Sequence, residues 1–188
     1  INQLLKIIKY ENPEYFACAF DSKGKTFRHE MYEEYKANRP PMPDELQQQL
    51  PHLWEILDAM NVPVLKKDGV EADDIIGTLA VRAQNEGLDT YIVSGDKDFM
   101  QLINENIFLY APGTKKSPNP VIYDSKKVED KWGVPPEKII DLLGLMGDSS
   151  DNVPGVSGVG EKTAVKLIKK YGSLDGALEN ADQVSNKR

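Results

Sequence analysis

The residues best suited to chemistry in this sequence are acids that follow short apolar segments or begin helical ones. Asp21 directly follows the apolar run at 15–20, and Asp96 follows the run at 90–94. Because the carboxyl ends of parallel strands meet at one edge of a sheet, acids in these positions are expected to converge there. The full set is Asp21, Glu71, Asp73, Asp74, Asp96, Asp98, Asp148 and Asp151.

The chemistry that such a cluster supports is phosphoryl transfer with divalent cations. Like charges brought together repel, and Mg²⁺ or Mn²⁺ relieves the repulsion because these ions prefer carboxylate and water oxygens. The chain has two His and one Cys, which disfavours a zinc site of the usual kind. The set therefore predicts two ions that activate a water and stabilise a leaving oxygen. Taken singly, each acid also fits a helix-dipole or turn role.

Composition excludes some classes of protein. No apolar run approaches the roughly 20 residues that span a bilayer, so a membrane protein is not expected. The single cysteine, Cys18, cannot form an internal disulfide, which indicates a reducing cytoplasm. A net charge of −7 argues against a generic nucleic-acid binder. With the eight acids set aside, however, the remaining sequence is near neutral to basic.

Apolar patterning predicts an α/β fold with a mostly parallel sheet flanked by helices. The charged, proline-rich stretch at 28–43 indicates an exposed excursion. Pro51 is expected to kink or divide the helical pattern at 46–60, Asp124 to cap a helix, and the chain past Pro135 to be all helical. Predicted strands lie at 15–20, 62–65, 90–94, 107–110 and 121–123, and predicted helices at 2–10 and 71–86.

The stretch 152–170 has a pattern typical of a helix-hairpin-helix. Its glycine-rich loop would let backbone N–H groups approach a DNA phosphate, and the next helix offers its positive N-terminal end. Such an element binds the DNA backbone rather than reading base sequence. The alternative is that the glycines only make a tight turn between helices. Positive charge nearby comes from Lys162, Lys166, Lys169 and Lys170.

The exposed excursion carries two cations and an aromatic residue suited to phosphate contact and base stacking, namely Tyr35, Lys36 and Arg39. A solvated charged loop is the alternative interpretation. The position of the excursion between the first and second groups of acids favours a functional role.

Five ordered motifs carry a family resemblance. They are AFD at 19–21, FRHEMYEEYKANRP at 27–40, GVEADD at 69–74, SGDKDF at 94–99 and MGDSSDNVPGVSGVGEKTA at 146–164. Together they resemble the 5′-nuclease (5′-3′ exonuclease, flap endonuclease-like) domain of bacterial DNA polymerase I, essentially from end to end. The resemblance implies a PIN-like fold with a C-terminal helix-hairpin-helix. It also implies a Mg²⁺-dependent nuclease that cleaves 5′ ends and flaps of branched DNA in replication and repair.

The resemblance also implies roles for particular residues. The two metal sites of the family map onto the eight acids. The helical arch that guides a single-stranded 5′ end maps onto the region from about 28 to 50, with Arg28, Tyr35, Lys36 and Arg39. Of these, Lys36 and Arg39 would offset charge that builds on the scissile phosphate. The hairpin would hold the downstream duplex, with a bound K⁺, through Gly155, Gly158, Gly160, Lys162 and Thr163.

The expected domains are a nuclease core at 1–134 and a helix-hairpin-helix element at 135–188. The family begins with a further strand, carrying a metal-binding Asp, that would precede Ile1, and it continues with helices past Arg188. We therefore expect a shortened chain, and a polymerase domain on the same native chain is among the expected partners. The resemblance implies a monomer in the bacterial cytoplasm, associated with the nucleoid.

Two other functions stay open at this level. A non-catalytic binder of DNA junctions would use the same scaffold with an incomplete metal site, and the missing first strand favours it. A carboxylate-rich phosphohydrolase for small substrates is suggested by the turn at 96–98, although the DNA-binding hairpin argues against it. Titration with Mn²⁺ separates the nuclease from the binder, and activity on flap DNA against a nitrophenyl phosphate tests the phosphohydrolase.

Overall fold

The computed structural model describes residues 1–115 and 117–184, so the predicted end of the helical domain, at 185–188, lies outside the described residues. The chain divides into two compact units. The first comprises Ile1–Glu33 and Arg39–Thr78, and the second comprises Glu34–Asn38 and Leu79–Arg188. Across the described ranges, no helix has the length and apolar character that a membrane crossing requires.

The first unit contains short elements joined by long connections. Its two strands pair in parallel, with Cys18 opposite Val64. Of the predicted strand at 15–20, only Cys18–Ala19 is observed as a strand, paired with Val64–Leu65. In chain order the elements are α1 (Asn2–Glu11), β1 (Cys18–Ala19), α2 (Phe27–Met31), α3 (Asp44–Gln47), α4 (Leu50–Ala59), β2 (Val64–Leu65) and the start of α5 (Ala72–Asn85).

Pro51 divides the helical pattern in this region, as the sequence predicts. Helix α3 ends at Gln47 and α4 begins at Leu50. Pro51 occupies the first turn of α4, where its missing N–H would have no partner within the helix. Leu57 of α4 and Ile7 of α1 are the buried aliphatic side chains of this unit among the described residues.

The second unit is built on a three-stranded sheet in the order β3 (Thr90–Val93), β4 (Ile107–Ala111) and β5 (Val121–Tyr123). Strands β3 and β4 are parallel, and β5 is the antiparallel edge. A 3₁₀ helix at Lys97–Leu102 follows β3, and α6 (Ser125–Trp132) begins where the Asp124 side chain accepts a hydrogen bond from the Lys127 backbone. The predicted cap at Asp124 is therefore confirmed.

The rest of the second unit is mainly helical. Helix α7 packs against both α8 and α9. Its Leu142, together with Ile107 and Leu109 of β4, is at most 1% exposed, so sheet and helices each supply fully buried side chains. The elements are a 3₁₀ helix at Pro136–Lys138, α7 (Ile139–Met146), α8 (Glu161–Tyr171), α9 (Leu174–Glu179) and a 3₁₀ helix at Ala181–Gln183.

The prediction of an all-helical chain past Pro135 is wrong at one place. A small antiparallel hairpin joins β6 (Gly147–Asp148) to β7 (Val153–Pro154). Gly147 ends α7 with φ of +77°, a conformation that glycine adopts without steric cost. A Cβ on Gly147 would lie 2.3 Å from the Gly155 nitrogen. The hairpin thus depends on two backbones that approach too closely for any side chain.

Candidate active site

In the first unit, carboxylates cap the N-terminus of α5. The Ala72 backbone N–H donates to Oδ1 of Asp21 at 2.7 Å, and the Glu71 N–H donates to Oδ2 of Asp74 at 2.9 Å. The first N–H groups of a helix have no partner inside it, so these acids satisfy donors that the helix leaves open. The capping brings Asp21, which follows β1, onto the segment that carries Glu71 and Asp74.

Arg28 binds the same segment. Its guanidinium donates to both oxygens of Asp74 at 2.8 Å each and lies 3.8 Å from Glu71, whose side chain is 10% exposed. A bidentate pair of this kind is among the stronger hydrogen-bonded contacts in proteins. The resemblance implies that Arg28 contacts DNA, whereas the structure places its guanidinium on carboxylates of the candidate metal set. The contact with DNA stays a prediction.

In the second unit, two acids of the set follow β3. Asp96 is the N-cap of the 3₁₀ helix, and its Oδ1 accepts a hydrogen bond from the Asp98 backbone at 2.9 Å. The Asp96 N–H donates to Oγ of Ser94 at 3.0 Å. These bonds fix the turn directly after the strand, so the two carboxylates leave the sheet at its carboxyl edge, as the sequence predicts.

Lys97 joins this turn to the hairpin that carries Asp148. Its Nζ donates to Oδ2 of Asp148 at 2.5 Å and lies 3.5 Å from Oδ1 of Asp98. The other oxygen of Asp148 accepts from the Ser150 backbone at 2.8 Å and from its hydroxyl at 2.6 Å. Lys97 and Ser150 are not among the site residues that the sequence predicts. The sequence does place Lys97 between Asp96 and Asp98, and Ser150 between Asp148 and Asp151, which could have indicated their contacts with these acids.

The acids of the second unit affect one another electrostatically. Burial raises the pKa of Asp98, and the charges of Asp96, Asp148 and Asp151 raise it further against the opposing effect of Lys97. Burial alone would raise the pKa of Asp148 too. The hydrogen bonds from Lys97 and Ser150 outweigh burial and hold that pKa below its ordinary value. These effects require that the four acids lie near one another.

A short segment of the predicted excursion belongs to the second unit and contacts the turn around Asp151. The Lys36 N–H donates to the Asp151 carbonyl at 2.9 Å, and the Tyr35 hydroxyl donates to Oδ2 of Asp151 at 3.0 Å. Side chains add two bonds, from Asn38 to the Ser149 carbonyl at 2.8 Å and from Asn152 to the Glu34 carbonyl at 2.7 Å.

The expectation that the excursion is exposed is wrong at Tyr35, which is 7% exposed. Its hydroxyl donates a hydrogen bond to Asp151, so the polar end of a tyrosine in a charged, proline-rich stretch keeps a partner when the ring is buried.

Lys36 is half-buried with φ of +56°, and its Nζ lies 4.0 Å from Oδ2 of Asp151. Arg39 is exposed. The sequence analysis missed Asn38 and Asn152, whose contacts span more than a hundred positions of the chain.

The donor chemistry of the second unit fits a hard divalent cation. Oδ1 of Asp98 is buried and has no hydrogen-bond partner in the described part of the chain, and the nearby acids offer only oxygen ligands. Within residues 1–115 and 117–184, no three His, Cys, Asp or Glu side chains are arranged to hold a metal ion. The carboxylates are held instead by protein cations, notably Lys97 on Asp148 and Arg28 on Asp74.

The glycines of the predicted DNA-binding hairpin differ in what the fold requires of them. Gly155 has no room for a Cβ, which would lie 2.3 Å from the Met146 carbonyl carbon, and Gly158 has φ of +78°. Both are therefore explained by the turn itself. Gly160 is the N-cap of α8 with φ of −95°, and a Cβ there would meet no atom within 4 Å. Lys162 and Thr163, in the first turn of α8, are exposed.

Comparison with known proteins identifies the family of this chain. The family model for the 5′-3′ exonuclease N-terminal resolvase-like domain matches residues 1–133, and the model for the 5′-3′ exonuclease C-terminal SAM fold matches residues 134–188. The α/β, PIN-like fold class with a C-terminal helical element is thereby confirmed. The chain belongs to the 5′-3′ exonuclease family.

Two curated relatives illustrate the similarity. The chain is 44% identical over 99% of its length to DNA polymerase I of Caldicellulosiruptor bescii, of which it covers 22%. It is 42% identical over 96% of its length to a 5′-3′ exonuclease of Aquifex aeolicus, of which it covers 61%. The chain thus spans about a fifth of the polymerase and three fifths of the exonuclease.

A solved structure agrees on the fold. The flap endonuclease of bacteriophage T5, crystallised as a complex with DNA and metal ions, superposes with a TM-score of 0.77 at 23% identity. The match covers 100% of this chain and 71% of that one. At this identity the likeness supports the fold alone.

Proposed function

We propose that this protein hydrolyses phosphodiester bonds at the 5′ ends and flaps of branched DNA, with two Mg²⁺ or Mn²⁺ ions. Membership of the 5′-3′ exonuclease family supports the reaction class. The observation that carries the metal requirement is the carboxylate group around Asp98, where a buried oxygen has no hydrogen-bond partner among the described residues and three acids add negative charge. Such a group favours a divalent cation.

The proposed metal ligands fall into one set in each unit. When bound, the ions would supply an activated water and stabilise the leaving oxygen. The chain itself holds the carboxylates ready, through the capping of α5 in the first unit and the turn after β3 in the second. Lys36 and Arg39 are proposed to lie against the scissile phosphate. The proposed ligands are Asp21, Glu71, Asp73 and Asp74, and Asp96, Asp98, Asp148 and Asp151.

The remaining assignments complete the proposal. We keep the nuclease core at 1–134, with its arch at about 28–50, and the helix-hairpin-helix at 135–188 as the functional division. Gly155, Gly158, Gly160, Lys162 and Thr163 would hold the downstream duplex with a K⁺ ion. The protein would act as a monomer, in the cytoplasm near the nucleoid, with a polymerase domain on the same native chain.

The proposal is tested with Asp96→Asn and Asp74→Asn in the full-length protein, assayed on a 5′-flap substrate with Mg²⁺. Each variant should lose cleavage by about a hundredfold or more, because one metal ligand is removed, while flap binding in Ca²⁺ changes little. Asp130→Asn, an exposed acid of α6 outside the set, is the matched control and should cleave normally. Retained Mg²⁺-dependent cleavage in both variants would refute the assignment.

The same assay separates the rival functions. If the protein is a non-catalytic junction binder, the wild type itself would bind the flap without cleaving it. A small-substrate phosphohydrolase would hydrolyse a nitrophenyl phosphate in preference to flap DNA.

The hairpin is tested at Gly160, where the fold itself imposes no need for glycine. Gly160→Ala should fold normally but bind duplex DNA less tightly, because the added methyl group would keep a phosphate from the backbone N–H groups. Unchanged duplex affinity would favour the alternative in which the glycines only form a turn.

A further inference from the structure

Lys97 lies where two segments that carry proposed metal ligands meet. Its Nζ is 2.5 Å from Oδ2 of Asp148, which is 51 positions later in the chain, and 3.5 Å from Oδ1 of Asp98. One ammonium group therefore contacts two carboxylates from separate segments and offsets part of their negative charge. The proposed function gives Lys97 no role, although it contacts two of the acids on which that function depends.

The contact occupies oxygens that a divalent cation would need. Oδ1 of Asp148 already accepts two hydrogen bonds from Ser150, and Oδ2 is taken by Lys97. Oδ1 of Asp98 has no hydrogen-bond partner in the described ranges, and the Lys97 ammonium is the positive group that faces it in this structure. A metal ion and the ammonium group would thus compete for the same negative charge.

The side chain can release its partners. A lysine ammonium is a compact charge on a flexible stem of four carbons, whereas arginine holds a carboxylate through a rigid fork. The Lys97 side chain is 30% exposed, so a released ammonium has access to solvent. The Asp148 side chain is 13% exposed and accepts two further hydrogen bonds from Ser150.

We propose that Lys97 is an intramolecular counter-cation that competes with the divalent ion for Asp98 and Asp148. The inference rests on the proposed function, because it takes these acids as metal ligands. In the metal-free protein the ammonium group keeps the two segments together against charge repulsion. On metal binding it gives up Asp148 and turns to solvent. Lys97 therefore lowers metal affinity while it keeps the ligands assembled.

The test is calorimetric titration of the full-length protein with Mn²⁺, comparing wild type, Lys97→Met and Lys138→Met. Lys97→Met should bind Mn²⁺ about three- to tenfold more tightly, which is the range for a partly buried ion pair. Lys138→Met is the matched control, because Lys138 lies 3.5 Å from Asp141, an acid of the same unit outside the metal set. Its Mn²⁺ affinity should stay within about twofold of wild type.

A second readout follows the metal-free protein. In EDTA, Lys97→Met should unfold at a lower temperature than wild type. Mn²⁺ added in excess of the EDTA should remove this difference, since the ion replaces the lost positive charge. If Lys97→Met does not fold, Lys97→Gln removes the charge with a hydrogen-bond donor retained and should give the same tightening.

The outcomes distinguish the inference from the proposed function. Wild type that binds Mn²⁺ normally, with affinity unchanged or weaker in Lys97→Met, overturns the competition and leaves the nuclease assignment intact. Wild type that takes up no Mn²⁺ overturns both.

Discussion

The two units hold their acidic residues by different means. In the first unit, Arg28 donates two hydrogen bonds to Asp74, and carboxylates cap the N-terminus of α5. In the second, the acids lie on a packed sheet and helix scaffold, where Lys97 contacts Asp98 and Asp148 and the Lys36 ammonium lies 4.0 Å from Asp151. Among the described residues, the two buried polar residues, Thr26 and Glu71, are both in the first unit, whereas most buried apolar side chains are in the second.

The difference shows two solutions to the repulsion among acids. Where the apolar core is small, a rigid guanidinium contact and backbone hydrogen bonds provide local order. Where the core is large, packing positions the acids, and flexible lysine ammonium groups offset only part of their charge. The first unit should therefore be sensitive to loss of polar contacts and the second to loss of packing.

The largest expected effect is in the core of the second unit. Leu142→Ala should lower the free energy of unfolding by about 3–5 kcal/mol, because Leu142 is fully buried and its truncation leaves a cavity. Leu57→Ala, at a buried position of the first unit, should cost less, about 2 kcal/mol. Chemical denaturation with hydrogen-exchange mass spectrometry resolves the two units. Equal losses of unfolding free energy in Leu142→Ala and Leu57→Ala would contradict the proposed difference in packing between the two units.

The next effect concerns the arginine contact of the first unit. Arg28→Met should lower stability by about 2 kcal/mol, less than for a fully buried pair because the Arg28 side chain is 32% exposed. Arg28→Lys should recover only part of the loss, since one ammonium cannot bind both oxygens of Asp74 in the same way. Thermal denaturation in EDTA measures both variants. If Arg28→Lys has wild-type stability, the positive charge alone, and not the two hydrogen bonds of the guanidinium to Asp74, orders the N-terminus of α5.

A smaller effect is expected at the buried tyrosine of the second unit. Tyr35→Phe keeps the ring but loses the hydrogen bond to Asp151, and it should cost about 1 kcal/mol. Tyr171→Phe is the control, because the buried Tyr171 hydroxyl has no hydrogen-bond partner in the described part of the chain and its removal should cost nothing. Faster amide exchange at 34–38 in the first variant alone would support the contact.

The smallest effect is a gain. The raised pKa of Asp98 means that folding disfavours its charged form, so its penalty is present above the unfolded pKa and absent below it. Asp98→Asn should therefore stabilise the metal-free protein near pH 7, by less than any of the losses above because the Asp98 side chain is 37% exposed. Near pH 3 the gain should vanish. Melting curves in EDTA at the two pH values test this, and a gain independent of pH would contradict the electrostatic cause.

The sequence by itself determined the fold class, the family and the type of most elements. Strand β3 and helix α5 are found close to their predicted positions because each has a strong local pattern. The division of a helix near Pro51 and the cap at Asp124 follow from single residues with strict backbone preferences. Six of the eight acids were found from their positions after strands or at a helix start, and Asp148 and Asp151 from the end of a predicted helical element. Their role as metal ligands stays a prediction.

Only the tertiary structure decided which cation contacts which acid. Arg28 and Asp74 are 46 positions apart, Lys97 and Asp148 are 51 apart, and Tyr35 and Asp151 are 116 apart. Local periodicity carries no information on pairs this distant, because chain folding and packing bring them together. The β6–β7 hairpin was missed for the same reason. It depends on the close approach of the Gly147 and Gly155 backbones, which no local pattern of apolar residues marks.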